Sequence, residues 1–550
     1  MLLALSLAIL LRCIRSLLRE RYEPEIWGTL AVGDTTLPIC HWESLIGRSR
    51  SADLRLPLER LQRVHAVLTR SDRGEWRIHE VFSRGEIWVG ETAVEPGGLP
   101  LSSGDTLNLA GYKAVFRALS ATTRGELDEK RRAVGSVSPA RTLLLLTAMQ
   151  VFLLLEHCIS AKPEHLGMIA LAFAALIVLE WTSFNAMRVM GRRGFEVETL
   201  AFYLTTLGTS VSASSTPGEM DKQIYLILAG VLLFVLGGWW LRNLRRTLWL
   251  RIPVGVLALG LMLVNFFIGR VIGGARNWLV IGGVSFQPSE FVKAAYVYVG
   301  ASTLDLLYRR RNLYSFIVFS AFCVVMLALM GDFGTALVFF VAFLVISFLR
   351  SGSIATVLLA VSAAGLAGFL AVEFRPYLAQ RFTTWGRAWE DIYDTGYQQT
   401  RAMSAAAAGG LFGKGAGAGW LKEIVAANTD MVFAMVCEEL GLLMALCMVA
   451  ALLLLALFAM RSTRNCRSAY YAISACAAVT ILLTQTALNV FGTLDLLPFT
   501  GVTFPFVSRG GSSLISCWML MAFLKGADNR RDASFAVRRG TQETEGGEGA

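Results

Sequence analysis

Between two long apolar blocks the chain reads Arg375-Pro376, then Arg381-Phe-Thr-Thr-Trp-Gly-Arg-Ala-Trp389-Glu390-Asp391-Ile-Tyr-Asp394-Thr-Gly396-Tyr397-Gln398. It continues through the small-residue run Ala405 to Ala408 and Gly409-Gly410-Leu-Phe-Gly413-Lys414-Gly415, and closes at Thr429-Asp430. In so apolar a chain, acids, arginines, aromatics and glycines gathered over residues 375–430 do not make a simple connector. Long connecting segments are functional or disordered, and the aromatics argue against disorder. The stretch reads as an active-site loop between membrane spans.

Its surroundings set the fold class. Of 550 residues, 55% are hydrophobic and 17% charged, which excludes an ordinary soluble protein and leaves runs long enough to cross a bilayer. Twelve apolar spans are expected, at about 142–160, 166–184, 197–212, 223–242, 252–269, 287–307, 314–331, 333–349, 354–374, 431–460, 468–490 and 510–526. The net charge is +10, but Lys and Arg gather in short loops between spans, where they set orientation and point to no nucleic acid. Clusters at Arg188/Arg192/Arg193, Arg242/Arg245/Arg246/Arg251, Arg309/Arg310/Arg311, Arg350, Arg461/Arg464/Arg467 and Lys525/Arg530/Arg531 each follow an even-numbered span. One topology satisfies them all, with the C-terminus in the cytoplasm and loops 270–286, 375–430 and 491–509 on the outer face of the cell membrane. Arg381 and Arg387 break that bias, as charges kept for a ligand would.

Nine Cys form no CxxC pair, and Cys323, Cys447 and Cys476 lie within apolar runs; this argues against a disulfide or metal framework. The five His all lie at or before His165. Chemistry in the C-terminal two-thirds must therefore run on carboxylates, hydroxyls, Lys and Arg.

Residues 1–22 form an apolar stretch interrupted by Arg12 and Arg15. Charge does not precede the apolar core and no small-residue cleavage site follows, so a membrane anchor is expected rather than a signal peptide. Residues 27–120 turn soluble: short β-type runs such as Ala66-Val-Leu-Thr, Trp76-Arg-Ile-His and Ile87-Trp-Val alternate with turn signals. That spacing predicts an inserted β-sandwich, which the topology set by the basic loops places in the cytoplasm. A basic linker follows at 121–141, and the Gly/Glu-rich tail 528–550 is expected to be disordered.

Several constellations could carry chemistry. Pro288-Ser289-Glu290 fits a helix start, and Glu290 and Lys293 share a helix face, so they can pair and line a polar cavity. Arg276 and Trp278 stand in the preceding outer loop, where Trp278 also suits an interfacial belt. Asp391, between Trp389 and Tyr393, has a setting that could raise its pKa towards a general base; Asp394 competes. Gly413-Lys414-Gly415 fails the P-loop spacing. Thr429-Asp430 precedes a span that contains Glu438-Glu439, two acids that must face protein or water. Pro498 to Ser513 is Gly/Pro-broken, as backbone lining a cavity can be.

The residues Ile46-Gly47-Arg48, Arg63-Val-His65, Arg84-Gly85-Glu86 and Ser103-Gly104-Asp105 resemble a forkhead-associated (FHA) domain, a phosphothreonine reader. Gln62 and Glu86 replace family polar contacts, which leaves Arg48 and Arg63 to hold a phosphate; a docking module is the alternative. Residues 140–527 resemble the SEDS family, which includes FtsW and RodA. The matching strings are Gly274-Ala-Arg-Asn-Trp278, Gln287-Pro-Ser-Glu290 with Lys293, Asp332-Phe-Gly-Thr335, Trp389-Glu-Asp391 with Gly396-Tyr-Gln398, Thr429-Asp430, Glu438-Glu-Leu-Gly441 and Pro498 through Ser513. The chain departs from the family at Asn277, Gly331 and Arg509. Two extra spans are expected in 142–269, before the catalytic core 270–527.

The resemblance implies a glycosyltransferase that polymerises lipid II into peptidoglycan with a class B penicillin-binding protein as partner. It carries the base to Asp391, puts Arg276, Trp278, Glu290 and Lys293 in the cavity, and sets Asp430 at the base of the loop. Arg276, Lys293, Arg381, Arg387 and Lys414 are the cations available to the leaving pyrophosphate. A divalent cation, Mg2+ or Mn2+, is left open there, since no ligand cluster compels one. The rival readings are a lipid II flippase, whose path would run through Glu290, Lys293, Glu438 and Glu439, and a non-catalytic scaffold.

Overall fold

The computed structural model describes residues 1–19, 24–49, 52–71, 73–81, 86–95, 97–120, 122–123, 126–127, 137–272, 274–282, 284–302, 310–351, 354–374, 385–530 and 533–536. Arg381, Arg84-Gly85, most of the linker and most of the tail lie outside them.

Helix α1 (Leu2–Arg19) is amphipathic in the bundle's favour: Ile9, Leu10, Cys13 and Leu17 are buried in the core of the membrane region. Its polar residues are tied there too. Ser6 shares a 2.6 Å hydrogen bond with the Tyr203 hydroxyl, Ser16 donates to Glu196 at 2.8 Å, and Arg12 donates to Thr142 at 2.9 Å.

Residues 28–118 form the β-sandwich. One sheet pairs β1 (Gly28–Val32) with β2 (Thr35–Ile39) and β11 (Tyr112–Ala118), then β10 (Thr106–Leu109), β7 (Ile87–Val89) and β8 (Thr92–Ala93). The other runs β4 (Leu54–Arg55), β3 (Glu43–Gly47), β5 (Ala66–Arg70), β6 (Trp76–Glu80) and β9 (Leu99–Leu101). Inward residues alternate along the strands, so Leu30, Ile46, Leu68, Ile78, Leu107 and Phe116 meet in a closed core in which Trp76 and Phe116 stack edge to face.

The membrane region begins with α2 (Pro139–Ser160), α3 (Pro163–Val189), α4 (Glu196–Ser215), α5 (Met220–Leu241), α6 (Leu244–Trp249) and α7 (Arg251–Ile268). The expected loop 270–286 is instead a three-stranded antiparallel meander, β12 (Arg270–Ile272), β13 (Ala275–Ile281) and β14 (Val284–Phe286). Next come α8 (Pro288–Ser302), α9 (Arg310–Leu329), α10 (Phe333–Ser351) and α11 (Ile354–Phe374).

Within the expected 375–430 loop lies a helix, α12 (Tyr397–Gly409), built from good helix formers and stopped at Gly410, whose φ is 59°. The short α13 (Ala427–Asp430) follows, then α14 (Val432–Leu440), α15 (Leu442–Thr463), α16 (Ala469–Thr493) and α17 (Gly511–Ala527). The expected span 431–460 is thus two helices. Gly441 separates them with φ 91°, and a side chain there would strike Leu411 O at 2.4 Å: the chain breaks to let residues 411–413 pass.

Helices occupy the other expected stretches. Among the described residues six are long and apolar enough to cross a membrane: 139–160, 163–189, 217–241, 251–268, 442–463 and 469–493. The apolar helix α17 is shorter, at 17 residues.

Candidate functional site

The segment that follows α16 is a hub. Asp495, held at φ 58°, accepts the backbone N–H groups of Gly386 (3.1 Å) and Ala388 (3.2 Å) and the Gln399 amide (3.2 Å). That fastens the turn bearing Asp391. Further along, Val502 and Thr500 lie so close to Gly334 that a side chain there would meet the Val502 methyl at 2.5 Å. Gly501 faces the Asp430 carboxylate, whose Oδ2 would lie 3.2 Å from an added Cβ. Ser512 accepts the Gln287 N–H at 3.0 Å, and Ser516 donates to Glu290 O at 2.8 Å. Residues far apart in sequence are thereby gathered around residues 495–516.

Asp332 sits in this gathering. It caps α10 through the Thr335 N–H (3.1 Å), while its Oδ2 accepts the side-chain amides of Asn277 (3.0 Å) and Gln287 (3.2 Å). It is a buried carboxylate that sequence reading quotes but leaves without a role. The three departures from the family each have a local partner. Asn277 holds Asp332; Arg509 pairs with Glu219 and donates its N–H to Asn428 O; Gly331 adopts φ 82°, which proline cannot.

Glu290 and Lys293 form the expected ion pair, 2.5 Å apart and almost fully buried. Arg276 lies over the last turn of α7, donating to Phe266 O at 3.3 Å where the helix dipole is negative. Trp278 is half-buried on β13 opposite Arg270. Asp430 is anchored by its main chain: its carbonyl accepts the Asn489 amide at 3.0 Å.

Asp391 differs from the expectation. Trp389 and Tyr393 are 56% and 87% exposed, so they do not desolvate it. The Thr395 hydroxyl donates to Oδ2 at 2.8 Å and the Thr395 N–H at 3.2 Å. These bonds favour the charged form and hold the carboxyl below its ordinary range rather than above it. The turn is compact because Gly396 touches it: a Cβ would sit 2.0 Å from Ala388 O. Among the described residues no cation pairs with Asp391, and Arg387 stands exposed on the same turn.

Lys414 falls elsewhere. It pairs with Glu438 at 2.9 Å, and Glu438 also accepts the N–H groups of Trp420 (3.1 Å) and Leu421 (3.0 Å). Glu439 accepts the Ser214 hydroxyl at 2.7 Å and the Gly417 N–H at 3.0 Å. These acids brace the 410–421 loop. Every ionisable residue that a translocation path would use is therefore tied to a neighbour. Among the described residues no group of three or more His, Cys, Asp or Glu is assembled to hold a metal.

In the sandwich, Arg48 and Arg63 are exposed on adjacent loops: the Arg48 N–H donates to Gln62 O, the Ser49 N–H donates to Arg63 O, and Gly47 packs against Arg63 O. His65 beside them is buried, and burial lowers its pKa. Gln62 cannot offer the hydroxyl that the FHA pattern places there.

A helical integral membrane protein with an acid-bearing turn at one end of α16 and a small β-sandwich at the other is the class that fold and site define. The model for the cell cycle protein family of FtsW, RodA and SpoVE matches residues 200–532, and the chain belongs to that family. The FHA-domain model matches residues 44–110. The chain is 34% identical to the probable peptidoglycan glycosyltransferase FtsW of Tolumonas auensis, over 52% of this chain and 78% of that one. It is 33% identical to stage V sporulation protein E of Bacillus subtilis, over 48% and 75%. Among solved structures, a peptidoglycan synthase complex described as coordinating polymerization and crosslinking superposes with TM-score 0.52 at 26% identity, covering 62% of this chain and 97% of that one.

Proposed function

We propose that this protein is a peptidoglycan glycosyltransferase that polymerises lipid II on the outer face of the cell membrane, with Asp391 as general base. Asp391 takes the proton of a sugar hydroxyl on the incoming lipid II. That oxygen attacks the anomeric carbon of the growing strand, the carbon–oxygen bond to the pyrophosphate breaks, and the configuration inverts. A base on the attacking side and charge stabilisation on the leaving side are what such a displacement needs.

The observation that carries this reading is the convergence on residues 495–516 of the Asp391 turn, Asp430, Asp332 and the buried Glu290–Lys293 pair. Arg276, Arg387 and Arg381 supply positive charge for the pyrophosphate, with Trp278, Asp430 and the buried Glu290–Lys293 pair shaping the cavity. Lys414 is given the lesser role of holding the loop. A Mg2+ or Mn2+ ion at the pyrophosphate would draw most of its ligands from phosphate and water, as Mg2+ commonly does. A class B penicillin-binding protein is the proposed partner for crosslinking, and a phosphothreonine protein the proposed ligand of Arg48 and Arg63.

The test is polymerisation of labelled lipid II by purified protein in vesicles, with a candidate class B partner. A glycan ladder is expected. Transbilayer movement of lipid II without a ladder, with any partner, would transfer the protein to the transporter reading.

A further inference from the structure

The β-sandwich is seated on the membrane region through the loop joining α15 to α16. Arg467 of that loop makes a two-pronged pair with Glu25, at 2.6 and 2.8 Å, with side chains only 15% and 12% exposed. Its guanidinium lies over Trp27 (5.4 Å) and Trp42 (5.9 Å), two indoles that meet edge to face, and Arg70 covers Trp27 from the sandwich side at 4.4 Å. Main-chain contacts close the seat: the Trp42 N–H donates to Arg467 O at 2.6 Å, and His41 Nδ1 lies 2.7 Å from Cys466 O. Trp42 is packed in the bundle's core, and Trp27 touches both cores.

Glu43, the first residue of β3, has a distinct part in this seat. Its carboxylate accepts the Ser468 hydroxyl at 2.9 Å and the Ala469 N–H at 2.9 Å. It therefore caps α16 from another domain, placing negative charge at the positive end of the helix. At about 1.5 Å per residue, the 25 residues of α16 carry the chain roughly 37 Å to its other end. There Asn489 donates to Asp430 O and to Val502 O, and Asp495, two residues beyond the helix, holds the Asp391 turn. Arg48 and Arg63, at the opposite end of β3 from Glu43, stay exposed while the domain is seated.

We propose that the FHA domain is an in-cis control domain docked on residues 466–469, and that its Glu43 cap and Glu25–Arg467 clamp are coupled through α16 to the Asp391–Asp430 site. A rigid helix gripped at both ends can carry such a coupling, because displacing its first turn shifts the side chains that hold the site. The inference rests on the outer site being the functional one, but its test does not require turnover.

Hydrogen exchange is measured on the full chain in lipid vesicles, comparing wild type with Glu43→Gln and Arg467→Ala, and with the charge-exchanged pair Glu25→Arg/Arg467→Glu. Faster exchange is expected both at 468–472 and at the Asp391 turn with residues 428–431, by about 5-fold or more, with partial recovery in the exchanged pair. Faster exchange confined to 468–472 overturns the coupling. Unchanged exchange at 468–472 overturns the seat itself. Failure of the wild type to polymerise lipid II would count against the transferase reading alone, so the two failures are separable.

Discussion

The two halves of the segment 385–430 handle charge in opposite ways. In residues 385–396 Arg387, Glu390 and Asp394 are exposed and Asp391 is half-buried, and the backbone is fastened by Asp495 from another element. In residues 410–421 the charge is turned inward: Lys414 is paired with Glu438, and the loop's own N–H groups are held by Glu438 and Glu439. Buried acids that accept several N–H groups act as braces, and losing one strands donors in a low-dielectric interior. Asp391 is held only by hydrogen bonds from Thr395 and the Asp394 N–H, and among the described residues no cation pairs with it, which suits the proposed role of an acid that acts on a substrate.

The strongest way to break this contrast is to neutralise Asp391. Asp391→Asn should lower lipid II polymerisation by about 100-fold or more, the scale of a lost general base, with melting behaviour unchanged. Glu438→Ala should do the reverse, costing about 3 kcal/mol of stability, read as a lowered melting temperature in detergent, while protein that stays folded keeps most of its rate. Gly396→Ala forces Cβ into the Ala388 and Asp391 carbonyls and should misplace Asp391, lowering kcat about 10-fold and costing about 1–3 kcal/mol of stability. Lys414→Met, which removes only a brace cation, should change the rate by less than about 3-fold.

The smallest effect sharpens the contrast through pH. The Thr395 hydroxyl holds the Asp391 carboxyl below its ordinary value, so the ionised form persists as pH falls past about 3.9. The stability linked to this group is fully present above the ordinary pKa and is lost only as pH falls through the lowered one. Asp391 should therefore give no acid limb in kcat/KM between pH 5 and 8. Thr395→Val should move its limb upward.

Much of the fold was legible because apolar runs and turn signals report local burial: helices lie on the expected stretches, and the strands at Ala66, Trp76 and Ile87 stand as read. The break at Gly441 was hidden, because only its close approach to Leu411 O requires glycine there. The pattern marks Asp391, and its aromatic neighbours point to a raised pKa where its hydrogen bonds hold it low. Sequence neighbours such as Trp389 and Tyr393 do not reveal that they stand exposed to solvent, and the deciding partner, Thr395, is an ordinary turn residue. Asp495 and the Glu43 cap were missed for a related reason. Each acts on residues about a hundred or several hundred positions away, and no local pattern marks such a contact, although a lone acid with positive φ in the 491–509 loop is a suspect in hindsight.

The most direct test of the central claim sets the two acids of the turn against each other. Asp394 is exposed; its carbonyl accepts the Tyr397 N–H at 3.2 Å, and its own N–H donates to the Asp391 carboxylate. Labelled lipid II should be given to purified Asp391→Asn and Asp394→Asn side by side, with folding checked for both. Loss of the glycan ladder in Asp391→Asn alone is the predicted result; a ladder that survives there and vanishes in Asp394→Asn would contradict the assignment of the base.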